Sequence, residues 1–234
     1  MAVVVEPVKK PGSKAVRPKD AATLIIYRQR RNSVEVLMGK RHRKHKFLPE
    51  RYVFPGGRVD PQDSRVRYAT PIREDVAELL TRKATPARAR AIAAAAIRET
   101  FEEAGLVIGK PDPEPHRPAP ANWQAFFDTG MAPCFENLTY VARAITPPWR
   151  PMRFNARFFM VDHRHVMGEL GGDGELLDLT YVPIKETNKL ELPLITTRVL
   201  EMVEDLARHP PAPGAMKTVT FFHHNGDHHD LIPE

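Results

Sequence analysis

Strand-like and helix-like patterns alternate along this chain. "ATLIIYRQ" (22–29) and "VEVLMGKR" (34–41) are dense in β-formers, and "RRNS" between them predicts a hairpin. "YVFPGG" (52–57) predicts a short strand running into a turn. A helix is predicted over 70–83, with Thr70 as N-cap and Pro71 at the first helical position. Thr85 and Pro86 repeat that start before the alanine-rich "ARARAIAAAAIRETFEEA", which Gly105 closes as C-cap. "LVI" (106–108) then predicts a strand, and "PDPEPHRPAP" (111–120), with five prolines, an extended loop. "NWQAFFDTG" predicts a short helix, and "NLTYVARAI", "RFNARFFMV" and "LLDLTYVPI" predict strands. "LPLITTRVLEMVEDLARH" reads as a helix and "KTVTFF" as a last strand before a polar, His-rich tail (223–234). The mixture predicts an α+β fold with a mixed sheet between helices.

The alanine-rich helix carries three glutamates in five positions. At about 100° per residue, Glu99, Glu102 and Glu103 share one 100° arc. Ala93, Ile97, Phe101 and Ala104 fall opposite, so the apolar side is expected inward and the carboxylates outward. Arg98 lies one turn before Glu102, within pairing reach. An ordinary solvated acidic face gives the same pattern. Two features count against it: the carboxylates repel one another, and they sit at the negative end of the helix dipole. A hard divalent cation, Mg²⁺ or Mn²⁺, would offset both.

Composition narrows the setting. In 234 residues, 35 Lys and Arg stand against 29 Asp and Glu, a net charge of +6 that suits anionic small molecules as well as nucleic acid. The single cysteine, Cys134, excludes an internal disulfide and a cysteine-based zinc site; a buried, inert thiol in a reducing cytoplasm is expected. No stretch is apolar enough to span a membrane, and residues 1–20 read as a loose basic arm with no signal-peptide core. The main domain is expected over 21–222.

"RETFEEAGL" (98–106) resembles the second half of the Nudix box, R-E-U-x-E-E-x-G-U with U apolar, Thr100 departing at the first U. "FPGGRVDPQD" (54–63) resembles the first half, G-x5-E, with Gly57 as the glycine and Asp63 in place of the glutamate. The box allows seven residues before the arginine; here 34 lie between Asp63 and Arg98, which makes residues 64–90 an insertion. "KRHRKHKFLPERYVFPGGRVD", "ITPPWRPMRFNARFFMV" and "ELLDLTYVPI" are also similar to a Nudix branch with an enlarged box, one that includes a peroxisomal acyl-CoA diphosphatase of mammals.

The resemblance implies an α/β/α sandwich and metal-dependent hydrolysis of a diphosphate joining a nucleoside to some group X. Glu99, Glu102 and Glu103 are then the metal ligands, joined by the Gly57 carbonyl, with Mg²⁺ or Mn²⁺ as cofactor. Arg98 orients the carboxylates. Glu99 and Glu175, the latter in the glycine-rich "GGDGELLDL", are both candidate general bases. Asp63, a shorter carboxylate, is expected to be structural, paired with an arginine.

Residues 28–51 hold nine Lys or Arg against two Glu. A solvated face accounts for such a run equally well; the functional reading puts Lys40, Arg41 and Arg43 near substrate phosphates. Coenzyme A or an acyl-CoA enters as substrate through the branch resemblance, beside dinucleoside polyphosphates, nucleotide sugars and NADH. No separate RNA-binding module is visible, so nucleic acid is not the expected partner. A homodimer is common among proteins of this kind. Trp123, Phe126 and Phe127 read as core, and the tail histidines as a polar end. The competing class is a non-catalytic Nudix domain that senses a ligand or docks a partner; such domains often lose box carboxylates, and all three are present here.

Overall fold

The computed structural model describes residues 16–45, 48–212, 214–225 and 228–234. The expected hairpin opens it: β1 (Lys19–Arg30) and β2 (Ser33–Arg41) pair antiparallel, with Arg30 opposite Ser33. The turn-bearing strands β3 (Tyr52–Val53) and β4 (Gly56–Arg58) follow, then helices α1 (Glu74–Thr81) and α2 (Pro86–Ala104). A small ribbon of β5 (Gly109–Pro111) and β6 (Met131–Pro133) encloses α3 (Gln124–Phe127). The remaining elements are β7 (Thr139–Ile145), β8 (Phe154–Asp162), β9 (Leu176–Pro183), α4 (Leu194–Arg208), β10 (Thr220–Asn225) and β11 (His228–Pro233).

β1 lies centrally, parallel to β8 and antiparallel to β2. The mixed sheet runs β11-β10-β7-β8-β1-β2-β3, with β4 also on β1 and β9 also on β2. Period-two alternation divides its side chains between two cores. Leu24, Ile26, Phe159 and Val161 pack with α1 and α2 on one face; Ile25, Phe158 and Met160 pack with α4 on the other. This is the expected α/β/α sandwich.

The local signals hold best at α2. Thr85 Oγ1 accepts the Arg88 N–H at 3.3 Å, Pro86 opens the helix, and Gly105 closes it at φ 71°. Elsewhere tertiary contacts move the boundaries. α1 starts at Glu74, four residues after the expected cap, because the Thr70 hydroxyl is spent on Cys134 Sγ at 3.0 Å and Thr70 bridges Cys134 through its backbone. Val107 makes only an isolated bridge, to Met167, and the strand begins at Gly109. The C-terminal segment is no loose tail: β10 and β11 form an antiparallel pair that extends the sheet beside β7. Of the basic arm, residues 1–15 lie outside the described residues, and Lys19 and Asp20 already belong to β1.

The insertion is built into the core. Val76, Leu79 and Leu80 are buried in the same cluster as α2, and Arg82 donates to the Lys217 carbonyl at 3.0 Å. α2 is enclosed far beyond its apolar face: Ala91 and Ala93 through Ala96 have no exposed surface. Alanine suits this place because nothing larger fits between helix and sheet. Ala94→Leu is therefore expected to destabilise the fold by about 1–3 kcal/mol, read from the midpoint of urea unfolding.

Candidate active site

The Phe54–Gly57 turn and the last turns of α2 form the floor of the site. β4 lies on β1, with Gly56 opposite Thr23 and Gly57 opposite Ala22. A Cβ on Gly56 would stand 2.5 Å from the Ala22 carbonyl oxygen, and one on Gly57 2.3 Å from Glu99 Oε2. The two glycines thus let the turn lie flat on β1 on one side and receive a carboxylate on the other. One turn on, Glu103 Oε2 accepts the Gly56 N–H at 2.8 Å. Glu99 and Glu103 are therefore not outward, as periodicity predicts, but set against the turn, Glu99 half-buried and Glu103 buried. Glu103 is 3% exposed, while the Glu102 side chain keeps 36%. The helix dictates only their common face; β4 covers it.

Arg98 ties the two half-boxes together. It is 6% exposed. Its Nε and Nη2 donate to Asp63 at 2.9 and 3.1 Å, its Nη2 to the Arg58 carbonyl at 3.1 Å, and its Nη1 meets Glu102 at 2.8 Å and Glu99 at 2.9 Å. Asp63, 1% exposed, also accepts the Asp60 N–H at 2.8 Å and the Trp123 indole N–H at 2.9 Å. A side chain so fully occupied is structural, as its shorter reach implied. It also completes a capping box with Asp60 at the start of the insertion.

Burial pushes the Glu103 carboxyl up to about 8, with the Gly56 N–H and Arg41 pulling it down and Glu99 and Glu175 raising it further. Burial also lifts Glu99 to about 7, opposed by Arg98 and assisted by Glu102. Glu102 is raised too, chiefly by burial, against the pull of Arg98. Among the described residues, no three His, Cys, Asp or Glu side chains stand as a group ready to hold a metal ion. Glu99 and Glu102 share Arg98 Nη1, and Glu103 rests on Gly56. The donor chemistry nonetheless fits a hard dication: the set is oxygen-only, and burial raises all three carboxylates above their ordinary range.

Two loops wall the site. In one, Gly171 N–H bonds the Ala104 carbonyl at 2.9 Å and Asp173 N–H the Glu102 carbonyl at 3.0 Å, satisfying the open end of α2. This carries Glu175, half exposed, to a place where its charge reaches Glu103. The opposite wall is the turn after β2. His42 N–H donates to the Glu175 carbonyl at 3.2 Å, and His45 Nε2 stands 3.7 Å from the Glu175 carboxylate. His42, Lys44, His45, Asp173, Gly174 and Glu175 line an open cavity of about 420 Å³ between them.

Of the basic residues singled out in the sequence, Arg41 is the one whose charge reaches Glu103. Its Nε is buried with no hydrogen-bond partner among the described residues. Arg43 is exposed in the turn, and Lys40 sits on β2 opposite Tyr52 and Leu177. Sequence reasoning did not single out His42, His45 or Asp173. Their only signal was the density of "KRHRKH" and the glycines around Asp173. Trp123, read as core, is core, with no exposed surface, yet it also bonds Asp63.

No protein-family model matches the chain, and no curated protein does. Solved structures do. A Nudix hydrolase from Alicyclobacillus acidocaldarius aligns at 27% identity over 81% of this chain and 92% of its own, with a TM-score of 0.63. The Nudix hydrolase RenU from M. smegmatis aligns at 14% identity over 88% and 96%, with a TM-score of 0.45. A C. elegans Ap4A hydrolase aligns at 15% over 81% and 98%, with a TM-score of 0.43. The assignment of the fold rests on the first.

Removing Asp63 would leave the Arg98 guanidinium buried without its main counter-charge. Asp63→Ala is expected to cost about 3–5 kcal/mol, measured by chemical denaturation.

Proposed function

We propose that this chain, a Nudix hydrolase by fold, hydrolyses the diphosphate bond of a nucleoside diphosphate derivative with the help of a divalent cation. The observation that supports this most is the pair Glu99 and Glu103, half-buried and buried respectively against the Gly56–Gly57 turn, where burial raises both carboxyls. Glu99, Glu102 and Glu103, with the Gly57 carbonyl, would hold Mg²⁺ or Mn²⁺. When bound, such an ion neutralises phosphate charge and lowers the pKa of a coordinated water.

The chain's own groups supply the rest. Arg41, its buried Nε unpartnered among the described residues, and the Lys44 side of the cavity bind phosphate oxygens, with Lys40 and Arg43 adding to the field. Arg98 keeps Glu99 and Glu102 in register with the turn. The water oxygen attacks phosphorus, the anhydride P–O bond breaks, and the leaving phosphate takes the electron pair. The water's proton passes to a carboxylate. Glu175 suits that task better than Glu99: it faces the cavity half exposed, whereas Glu99 is wedged between Gly57 and Arg98. No covalent intermediate is needed. Coenzyme A or an acyl-CoA is the first substrate to try, on the strength of the branch resemblance and the basic turn.

The test is product analysis over coenzyme A, an acyl-CoA, NADH, ADP-ribose, a dinucleoside polyphosphate and capped RNA, with Mg²⁺ or Mn²⁺. Glu103→Gln is expected to abolish cleavage and weaken Mn²⁺ binding. A folded protein that binds Mn²⁺ but cleaves none of these would speak for the ligand-sensor reading.

Glu175→Gln is expected to lower kcat by about 10²–10⁴-fold while leaving Mn²⁺ affinity near that of the wild type. A kcat within threefold of wild type would return the proton-accepting role to Glu99.

A further inference from the structure

Trp123 lies 60 residues beyond Asp63, in the segment after the proline-rich loop and outside both half-boxes. Its indole N–H donates to Asp63 Oδ1 at 2.9 Å, the same oxygen that accepts Arg98 Nε at 2.9 Å. Arg98 in turn holds Glu99 and Glu102. Trp123 has no exposed surface, Asp63 1% and Arg98 6%, so the contacts form away from water, where their geometry is stiff and their loss costly. The ring is fixed as well: Phe126 and Phe127 pack on it at centroid distances of 5.3 and 6.2 Å, and Phe126 also meets Phe101 of α2 at 5.3 Å.

Among the described residues, four hydrogen bonds reach the Asp63 carboxylate, from Asp60, Arg98 and Trp123. The backbone bond and the two guanidinium bonds anchor it to its own loop and to α2. Among the described residues the indole adds the only anchor from a third segment, which fixes where a short carboxylate can stand relative to the helix. Arg98 has, among the described residues, only Asp63 and the Arg58 carbonyl to orient it independently of the glutamates it serves.

We propose that Trp123 is a positioning residue for the metal-binding carboxylates, acting through Asp63 and Arg98. It touches neither substrate nor metal. Its role rests on the functional reading above only in that the carboxylates bind a cation. Groups that hold metal ligands in place govern affinity, and loss of one bonded directly to a ligand, as Arg98 is here, costs about 10–100-fold; Trp123 acts through Asp63 on Arg98, so the lower end of that range is expected.

Trp123→Phe keeps a ring against Phe126 and Phe127 and deletes the donor. Mn²⁺ binding is measured by calorimetry on the full chain, beside kcat and KM at saturating Mn²⁺. Affinity is expected to fall about 10-fold or more, with KM at saturating metal unchanged. Phe127→Leu is the control: it loosens the same cluster without removing a donor, and its Mn²⁺ affinity is expected to match the wild type. Affinity of Trp123→Phe within twofold of wild type overturns the proposal, as does an equal loss in Phe127→Leu. If Trp123→Phe does not fold, the wild-type indole NMR resonance decides, assigned with a Trp149→Phe sample. It is expected to shift along the Mg²⁺ saturation curve, and a stationary resonance overturns the proposal. The functional reading fails separately, if Glu103→Gln binds Mn²⁺ as tightly as wild type.

Discussion

A guanidinium taken out of water must be met by oxygen on every side, or its desolvation undoes the fold around it. Arg98 is in that position, and the oxygens that meet it come from separated parts of the chain: Asp63 and the Arg58 carbonyl from the first half-box, Glu99 and Glu102 from its own helix. Meeting that demand joins the loop after β4 to α2 across the whole insertion. The intervening residues are free to be long because the joint does not depend on them. They are not idle, since α1 packs its apolar side into the core that α2 already occupies.

The same demand shapes the glutamate cluster. With Arg98 engaged on one side and the Gly56–Gly57 turn on the other, the carboxylates cannot retreat into solvent. Glu99 and Glu103 are held where ionisation is resisted. Burial is the chief cause, and carboxylates perturbed together in one place mark a candidate functional site. The glycine-rich loop that closes α2 does two things at once. It satisfies helix carbonyls, and it brings Glu175 and the histidine-bearing turn into one cavity.

Local chemistry made much of this legible. The caps of α2 could be read directly, because a Thr-Pro start and a glycine stop are set by backbone groups a few residues away. The nine-residue "RETFEEAGL" located the acidic cluster and its arginine by spacing alone. The orientation of the carboxylates was misread, because periodicity reports which residues share a face but not what lies over it. Likewise Thr70 looks like a cap until Cys134, 64 residues away, takes its hydroxyl.

The sequence by itself determined the glutamate helix, the glycine turn and the pairing of Arg98 with Glu102, since each rests on contacts within a few residues; the sandwich was legible only through the resemblance carried by "RETFEEAGL". Only the tertiary structure decided that Glu103 is buried and Glu99 half-buried, that the insertion belongs to the core, and that the C-terminal segment extends the sheet. It alone placed Trp123 against Asp63 and His45 against Glu175. Those outcomes depend on contacts between segments tens of residues apart, where burial and shared hydrogen bonds outweigh local preference and leave no local pattern to read.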